Sequence, residues 1–238
     1  MIGIFSKTTD SNFIEAAGLS GLDFIIIDQE HGHVGKDRLH DHLRAAKEAG
    51  VKAIVRVKEL NHNDIGSALD AGADGVQVPN ISTVKEAKLA INAARFYPLG
   101  ERGVCRFVKA AAFGSLDKQE YFETSNEKLL ILQVEGTLGI SNIDKILDLE
   151  GYDILFVGPY DLSQSLGIPG KIQDKRILDT IDQLIEKAKS KNKKFGVFCD
   201  DISYARRLKQ TGVDYLAYSV DLNIFLNACT NLINEIKK

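Results

Sequence analysis

Eight short apolar runs rich in β-branched residues recur along this chain of 238 residues, and segments with helical periodicity separate them. The runs are Ile2 to Phe5, Phe24 to Ile27, Ala53 to Val57, Gly75 to Val78, Leu129 to Val134, Ile154 to Val157, Phe195 to Phe198 and Tyr215 to Tyr218. Their hydrophobicity is nearly continuous rather than alternating, as strands require when both faces are buried in a parallel sheet covered by helices. AKEAGVKAIVRV, LDAGADGVQVP, LDLEGYDILFVGP and LKQTGVDYLAYSV repeat one order of helix, glycine and strand. Gly50, Gly72, Gly151 and Gly212 mark those hand-overs, while Asn12 with Glu15 and Thr83 with Glu86 have capping-box spacing. Eight βα units joined by right-handed crossovers close into a barrel; the rival, an open doubly wound sheet, usually shows fewer strands or a glycine-rich first turn. The expected fold is an α/β (β/α)8 TIM-type barrel spanning residues 1–238 as one domain.

Charge and composition narrow the partners. The formal net charge of −3 lies in mixed-sign clusters, so no basic stripe exists for a nucleic acid. No apolar run approaches the roughly 20 residues that span a bilayer, and Met1 to Lys7 enters a strand pattern rather than a signal peptide, so a cytoplasmic location without membrane contact is expected. Cys105, Cys199 and Cys229 are odd in number and lack CxxC spacing, and they read as reduced packing residues.

Two segments depart from the rhythm. Tyr97 to Lys128 is too long for a simple connection; with Arg102, Arg106, Phe113, Tyr121 and Phe122 it reads as a lid or a subunit contact. At the C-terminus Leu222, Phe225, Leu226, Cys229, Leu232, Ile233 and Ile236 share one helical face, fit to cover this barrel or a neighbour's.

In such a barrel the chemistry comes from the C-terminal ends of the strands. Here those ends carry Asp28, Gln29, Glu30, His31 and His33 after the second strand, Arg56 in the third, Gln133 and Glu135 on the fifth, and Asp161 after the sixth. Gln133 and Glu135 are two residues apart and so share a face, with Asp161 as the natural second acidic ligand. Two carboxylates with room for water and substrate oxygens suit Mg2+ or Mn2+ better than zinc. The alternative is that Glu135 forms a structural ion pair with Arg56. A histidine titrates near neutral pH, which qualifies His31 as a base. The zinc-hydrolase pattern suggested by His31 and His33 lacks histidines in the second half of the chain, and His33, His40, His42 and His62 read as surface or loop residues. No strand core holds a lysine for Schiff-base chemistry, and the turns CDDIS and SVDLN are too acidic to hold a phosphate.

Together these residues resemble the class II, metal-dependent pyruvate aldolases, the family of 4-hydroxy-2-oxoheptanedioate and 2-dehydro-3-deoxyglucarate aldolases. The matching strings are GLDFIIIDQEHG, VRV, LDAGADGVQVP, YPLGERGV, LQVE and GPYDLSQSLG, in order along nearly the whole chain. The resemblance implies a barrel of the phosphoenolpyruvate/pyruvate-binding kind that cleaves a 4-hydroxy-2-oxo acid to pyruvate and an aldehyde through a metal-stabilised enolate. It implies Glu135 and Asp161 as ligands of the divalent metal, with Mg2+ or Mn2+ ahead of Co2+ or Zn2+, and Gln133 and Asp28 beside its water or the substrate. Arg56 would hold the keto oxygen, the backbone N–H groups of Tyr160 and Asp161 the carboxylate, and His31 would be the base. Asp70 resembles a carboxylate that orients this base from a neighbouring subunit. Arg102, Phe198 and Asp200 stand as contacts for the aldehyde half. A swapped last helix and a homo-oligomer, a hexamer in that family, are further implications. Tyr160 replaces the commoner alanine of GPADLS, and Gln29 the glycine of DGEH. A CoA-ester lyase, an oxo-acid decarboxylase and a non-catalytic oxo-acid-binding barrel are the alternatives.

Overall fold

The computed structural model describes residues 1–238. Its strands are β1 (Ile2–Ser6), β2 (Phe24–Asp28), β3 (Lys52–Arg56), β4 (Gly75–Ile81), β5 (Leu129–Val134), β6 (Ile154–Val157), β7 (Lys194–Cys199) and β8 (Tyr215–Val220). They form a closed barrel in sequence order, every pair parallel, with β1 against β8. The helices are α1 (Ser11–Leu19), α2 (Lys36–Glu48), α3 (His62–Asp70), α4 (Val84–Ala94), α5 (Lys118–Asn126), α6 (Gly136–Ser141), α7 (Ile143–Leu147), α8 (Pro159–Ser165), α9 (Lys175–Ser190), α10 (Ile202–Gln210) and α11 (Asp221–Ile236). None is long and apolar enough to cross a membrane.

The period of two along each strand sorts side chains into two cores. Ile25, Ile27, Ala53, Val55, Leu130 and Leu132 point outward into the layer shared with the helices. Phe5, Phe24, Ile26, Ile54, Ile131, Ile154, Phe156, Tyr215 and Ala217 fill the barrel, with Phe24 and Tyr215 stacked at 3.8 Å. Each such buried apolar side chain contributes about 1.5–3 kcal/mol. Two residues beyond these inward positions stand Lys7, Asp28, Arg56, Gln133 and Gly158, so the same alternation that builds the core places polar groups at the mouth. Register aligns them, since Asp28 lies opposite Arg56 and Arg56 opposite Gln77.

Helix punctuation follows the sequence at most points. Thr83 and Glu86 form a full capping box, and Gly50, Gly72, Gly151 and Gly212 all take positive φ at the hand-overs. The expectation at Asn12 needs correction: Asp10 caps α1, accepting from the backbone N–H of Asn12 at 2.9 Å, and Asn12 lies inside the helix.

Three other readings also change. Only Cys199 is a packing residue; Cys105 and Cys229 are exposed. His42 is fully buried, with its ring nitrogens 3.2 Å from the Arg38 carbonyl and 3.0 Å from that of Thr8, while His33, His40 and His62 are exposed as expected. The Tyr97 to Lys128 segment is not a lid over its own pocket. It leaves the end of α4 and feeds the start of β5, on the rim opposite the strands' C-terminal ends. There Phe96, Tyr121 and Phe122 pack edge to face, leaving Tyr97, Phe107 and Phe113 exposed.

The last helix does not bury its apolar face in its own chain. Leu222, Phe225, Leu226, Leu232, Ile233 and Ile236 are exposed, and an apolar cavity of about 810 Å³ runs beneath the helix between Phe13, Ile2 and Phe225. Its first residue, Asp221, is buried and accepts hydrogen bonds from Ser6 Oγ at 2.7 Å and from the backbone N–H of Lys7 at 3.2 Å.

Candidate active site

A pocket of about 320 Å³ opens at the C-terminal ends of the strands, walled by Phe5, Phe156 and Phe198 and lined by Lys7, His31, Arg56, Gln133, Tyr160 and Asp161. Arg56 is its fixed point. Its Nε donates to Asp28 Oδ1 at 2.9 Å and its Nη2 to Asp28 Oδ2 at 2.8 Å, a bidentate pair with a fully buried carboxylate. Its Nη1 stands 2.9 Å from Glu30 Oε2, and the guanidinium lies over the Phe5 ring at 4.7 Å. Arg56 therefore pairs with Asp28 and Glu30 and not with Glu135, which removes the ion-pair alternative for Glu135. Each terminal nitrogen keeps a second hydrogen, so the clamp can still donate to a ligand.

Asp28 also receives the backbone N–H groups of Glu30 at 3.1 Å and His31 at 3.3 Å. Burial works to raise its pKa, but the hydrogen bonds and charge of Arg56 outweigh it and hold the carboxyl below the ordinary aspartate range. With its oxygens so occupied, Asp28 shapes the His31 loop and aims Arg56.

On the other side a relay of amides sets Glu135. Gln77 Nε2 donates to Gln133 Oε1, and Gln133 Nε2 donates to Glu135 Oε1. Burial, reinforced by the negative charges of Asp161 and Glu30, pushes Glu135 up to about 7 even though the Gln133 hydrogen bond and Arg56 oppose it. A side chain at Gly158 would begin 3.5 Å from Asp161 Oδ2 and 3.6 Å from Glu135 Oε1, so the missing Cβ leaves a small space onto which both oxygens look.

That arrangement fits a divalent metal. Asp28, Glu30, Glu135 and Asp161 face only Lys7 and Arg56, an imbalance that a 2+ ion would neutralise. No cluster of three His, Cys, Asp or Glu side chains accompanies them, so two carboxylates would be the protein's share of the coordination sphere. A hard cation that retains water and takes substrate oxygens suits such a pair.

His31 is open to solvent, and its nearest acidic neighbour is Glu30, with Nε2 3.9 Å from Oε1. Asp70 is nowhere near it. It closes α3 on the opposite rim and binds the buried Arg102, whose guanidinium also lies over Phe96 at 4.6 Å. Arg102 is thus removed from the aldehyde contacts of its own chain. Phe198 does line the pocket, and Asp200 stands above it, accepting from Tyr160 Oη at 2.6 Å. Tyr160 and Asp161 follow Pro159 in the first turn of α8, where backbone N–H groups have no partner within the helix.

The sequence reading missed Lys7 and Gln77, and it named Glu30 at the strand end without giving it a role. Lys7 Nζ sits in the pocket 3.7 Å from Asp28 Oδ2, and Gln77 begins the relay to Glu135. The signal for Lys7 and Gln77 was available: Lys7 is two residues past the inward Phe5, and Gln77 two past Gly75.

Comparisons with known proteins bear on the family and the fold. The family model described as HpcH/HpaI aldolase/citrate lyase matches residues 1–228. A 2-keto-3-deoxy-L-rhamnonate aldolase from Salmonella paratyphi A is 33% identical, over 99% of this chain and 88% of its own length. Among solved structures, an HpcH/HpaI aldolase/citrate lyase family protein from Burkholderia cenocepacia J2315 is 31% identical and covers 100% of this chain and 95% of its own, with a TM-score of 0.94. The citrate synthase SbnG is 28% identical over 99% of this chain and 92% of its own, with a TM-score of 0.90.

Proposed function

Because the chain belongs to the HpcH/HpaI aldolase/citrate lyase family and is therefore a carbon–carbon lyase, we propose that it reversibly cleaves a 4-hydroxy-2-oxo acid to pyruvate and an aldehyde with a divalent metal. The observation that carries this reading is the convergence of Glu135 and Asp161 on the space beside Gly158, in the pocket that also holds Arg56, Gln133 and His31. Cleavage between C3 and C4 requires removal of the C4 hydroxyl proton. The C4–O bond then becomes the aldehyde, and the electron pair of the broken bond passes to the pyruvate half as an enolate.

His31, exposed at the mouth, accepts the hydroxyl proton. Arg56, immobilised by Asp28 and Glu30, donates its remaining N–H groups to the oxo oxygen, where negative charge grows, without having to reorganise. The backbone N–H groups of Tyr160 and Asp161 receive the carboxylate at the start of α8. Glu135 and Asp161 would hold Mg2+ or Mn2+, which when bound supplies Lewis-acid stabilisation of the enolate charge. Gln133 keeps Glu135 in place through its amide.

Pyruvate release from 4-hydroxy-2-oxo acids should appear with Mg2+ or Mn2+, vanish on treatment with EDTA and return on adding metal. Turnover that survives complete metal removal contradicts the reading, and turnover of CoA thioesters in place of oxo acids moves the assignment to the lyase alternative.

Asp70 enters this site only from a second copy of the chain, because its own α3 carries it to the far rim. We propose a homo-oligomer in which a partner's Asp70 orients His31 and the uncovered α11 docks on a neighbouring barrel. Co-expressing the inactive variants Asp70→Ala and Glu135→Gln should restore about a quarter of the sites, as shared sites in a closed assembly require. If the mixture stays as inactive as its parents, the shared site is refuted.

A further inference from the structure

We infer that Asp200, held in place by Tyr160, decides which aldehyde half the pocket takes, favouring an uncharged, hydroxyl-bearing aldehyde over one that ends in a carboxylate; the inference rests on the aldolase reading above. The inward positions of β7 run Gly196, Phe198 and then Asp200, so the Asp200 carboxylate stands over the Phe198 wall at the mouth. Tyr160 crosses from the start of α8 to meet it. Its hydroxyl donates to Asp200 Oδ2 at 2.6 Å while its ring packs 5.9 Å from that of Phe198. Tyr218 Oη donates to the Asp200 carbonyl at 3.5 Å, so both the backbone and one carboxylate oxygen are tied.

The charges around the mouth are unequal. Lys7 faces Asp28 at 3.7 Å, and Arg56 is matched by Asp28 and Glu30. Asp200 forms no ion pair, and its only side-chain hydrogen bond is the one from Tyr160. Asp200 therefore stands at the mouth, beside the Tyr160 and Phe198 wall, as an unpaired negative charge, and its neighbour Asp201 forms no ion pair either. A distal carboxylate on the substrate would lie against that charge, whereas a hydroxyl would donate to the free Asp200 Oδ1. Discrimination by an opposing like charge is a common route to specificity. The Tyr160 phenol adds a steric limit, since it occupies room that a smaller side chain would leave open.

The test measures condensation of pyruvate with glyceraldehyde and with succinic semialdehyde, in the presence of Mg2+, for the whole chain and for Asp200→Asn and Tyr160→Phe. The wild type should favour glyceraldehyde in kcat/KM by about tenfold or more. Asp200→Asn should shrink that ratio about tenfold, chiefly by lowering KM for the carboxylated aldehyde. Tyr160→Phe, which frees the carboxylate to turn away, should shrink it less. Because the ratio is taken within each variant, a general loss of folding or activity cancels. A wild-type preference for succinic semialdehyde, or a ratio unchanged in Asp200→Asn, overturns the assignment. Deuterium exchange into the pyruvate methyl in D2O, followed by NMR on the wild type, separates the two levels. Exchange with an unaltered ratio sinks the role of Asp200 alone, and absence of both exchange and condensation sinks the aldolase reading with it.

Discussion

Glu135→Gln should lower kcat/KM for pyruvate release by about a thousandfold while leaving the metal-free protein at least as stable as the wild type. The two effects have opposite signs for one reason. Without a cation, Glu135 is a buried carboxyl crowded by Asp161 and Glu30 and pushed up to about 7, a costly group to keep charged. Glutamine has the same shape and removes that cost. With a cation, the same charge is what the site needs, and binding adds stability by mass action, about 2.7 kcal/mol at a hundredfold excess over Kd. Thermal melts with and without Mg2+ should therefore show a rise in Tm for the wild type and none for Glu135→Gln. A variant that still gains stability from Mg2+ and still turns over places the cation elsewhere.

Arg56→Met is the second large effect, and it strikes folding and chemistry together. Asp28 is fully buried and Glu30 mostly buried, and removing the guanidinium between them takes away the strongest partner of both, leaving Lys7 at 3.7 Å from Asp28 and His31 at 3.9 Å from Glu30 as the nearest basic groups. Breaking such a buried pair costs about 3–5 kcal/mol, which urea denaturation would read as a lowered midpoint at constant slope. Activity should fall about a thousandfold because the donor aimed at the oxo oxygen is gone. The double variant Arg56→Met/Asp28→Asn distinguishes the two roles: it should recover much of the stability and none of the activity. Arg56→Met as stable as the wild type would mean that the clamp does not hold the site.

The barrel was legible because parallel strands covered on both faces leave a strong mark. All eight runs became strands, two with identical bounds and six with an end displaced by at most three residues, and they close in sequence order as a barrel. Gln133 and Glu135 share a face as the period of two requires, and Asp161 meets Glu135 beside Gly158. What escaped the sequence was mostly decided by partners distant along the chain. Nothing near His42 announces that the Thr8 carbonyl will reach its ring across 34 positions. Arg102 looked available for a substrate because its partner, Asp70, lies 32 residues away on another element. Lys7 went unread for a different reason. Its strand was recognised, but the count of two was not carried past Phe5 into the turn.

Asp221 belongs both to the helix that lies uncovered and to the turn that carries Lys7. Its carboxylate gathers the hydroxyl of Ser6 and the backbone N–H groups of Lys7 and Thr8. A tilt of that helix would thus be felt directly at the first strand's turn. In this protein the seat of the last helix and the position of a pocket lysine are fastened to one anchor.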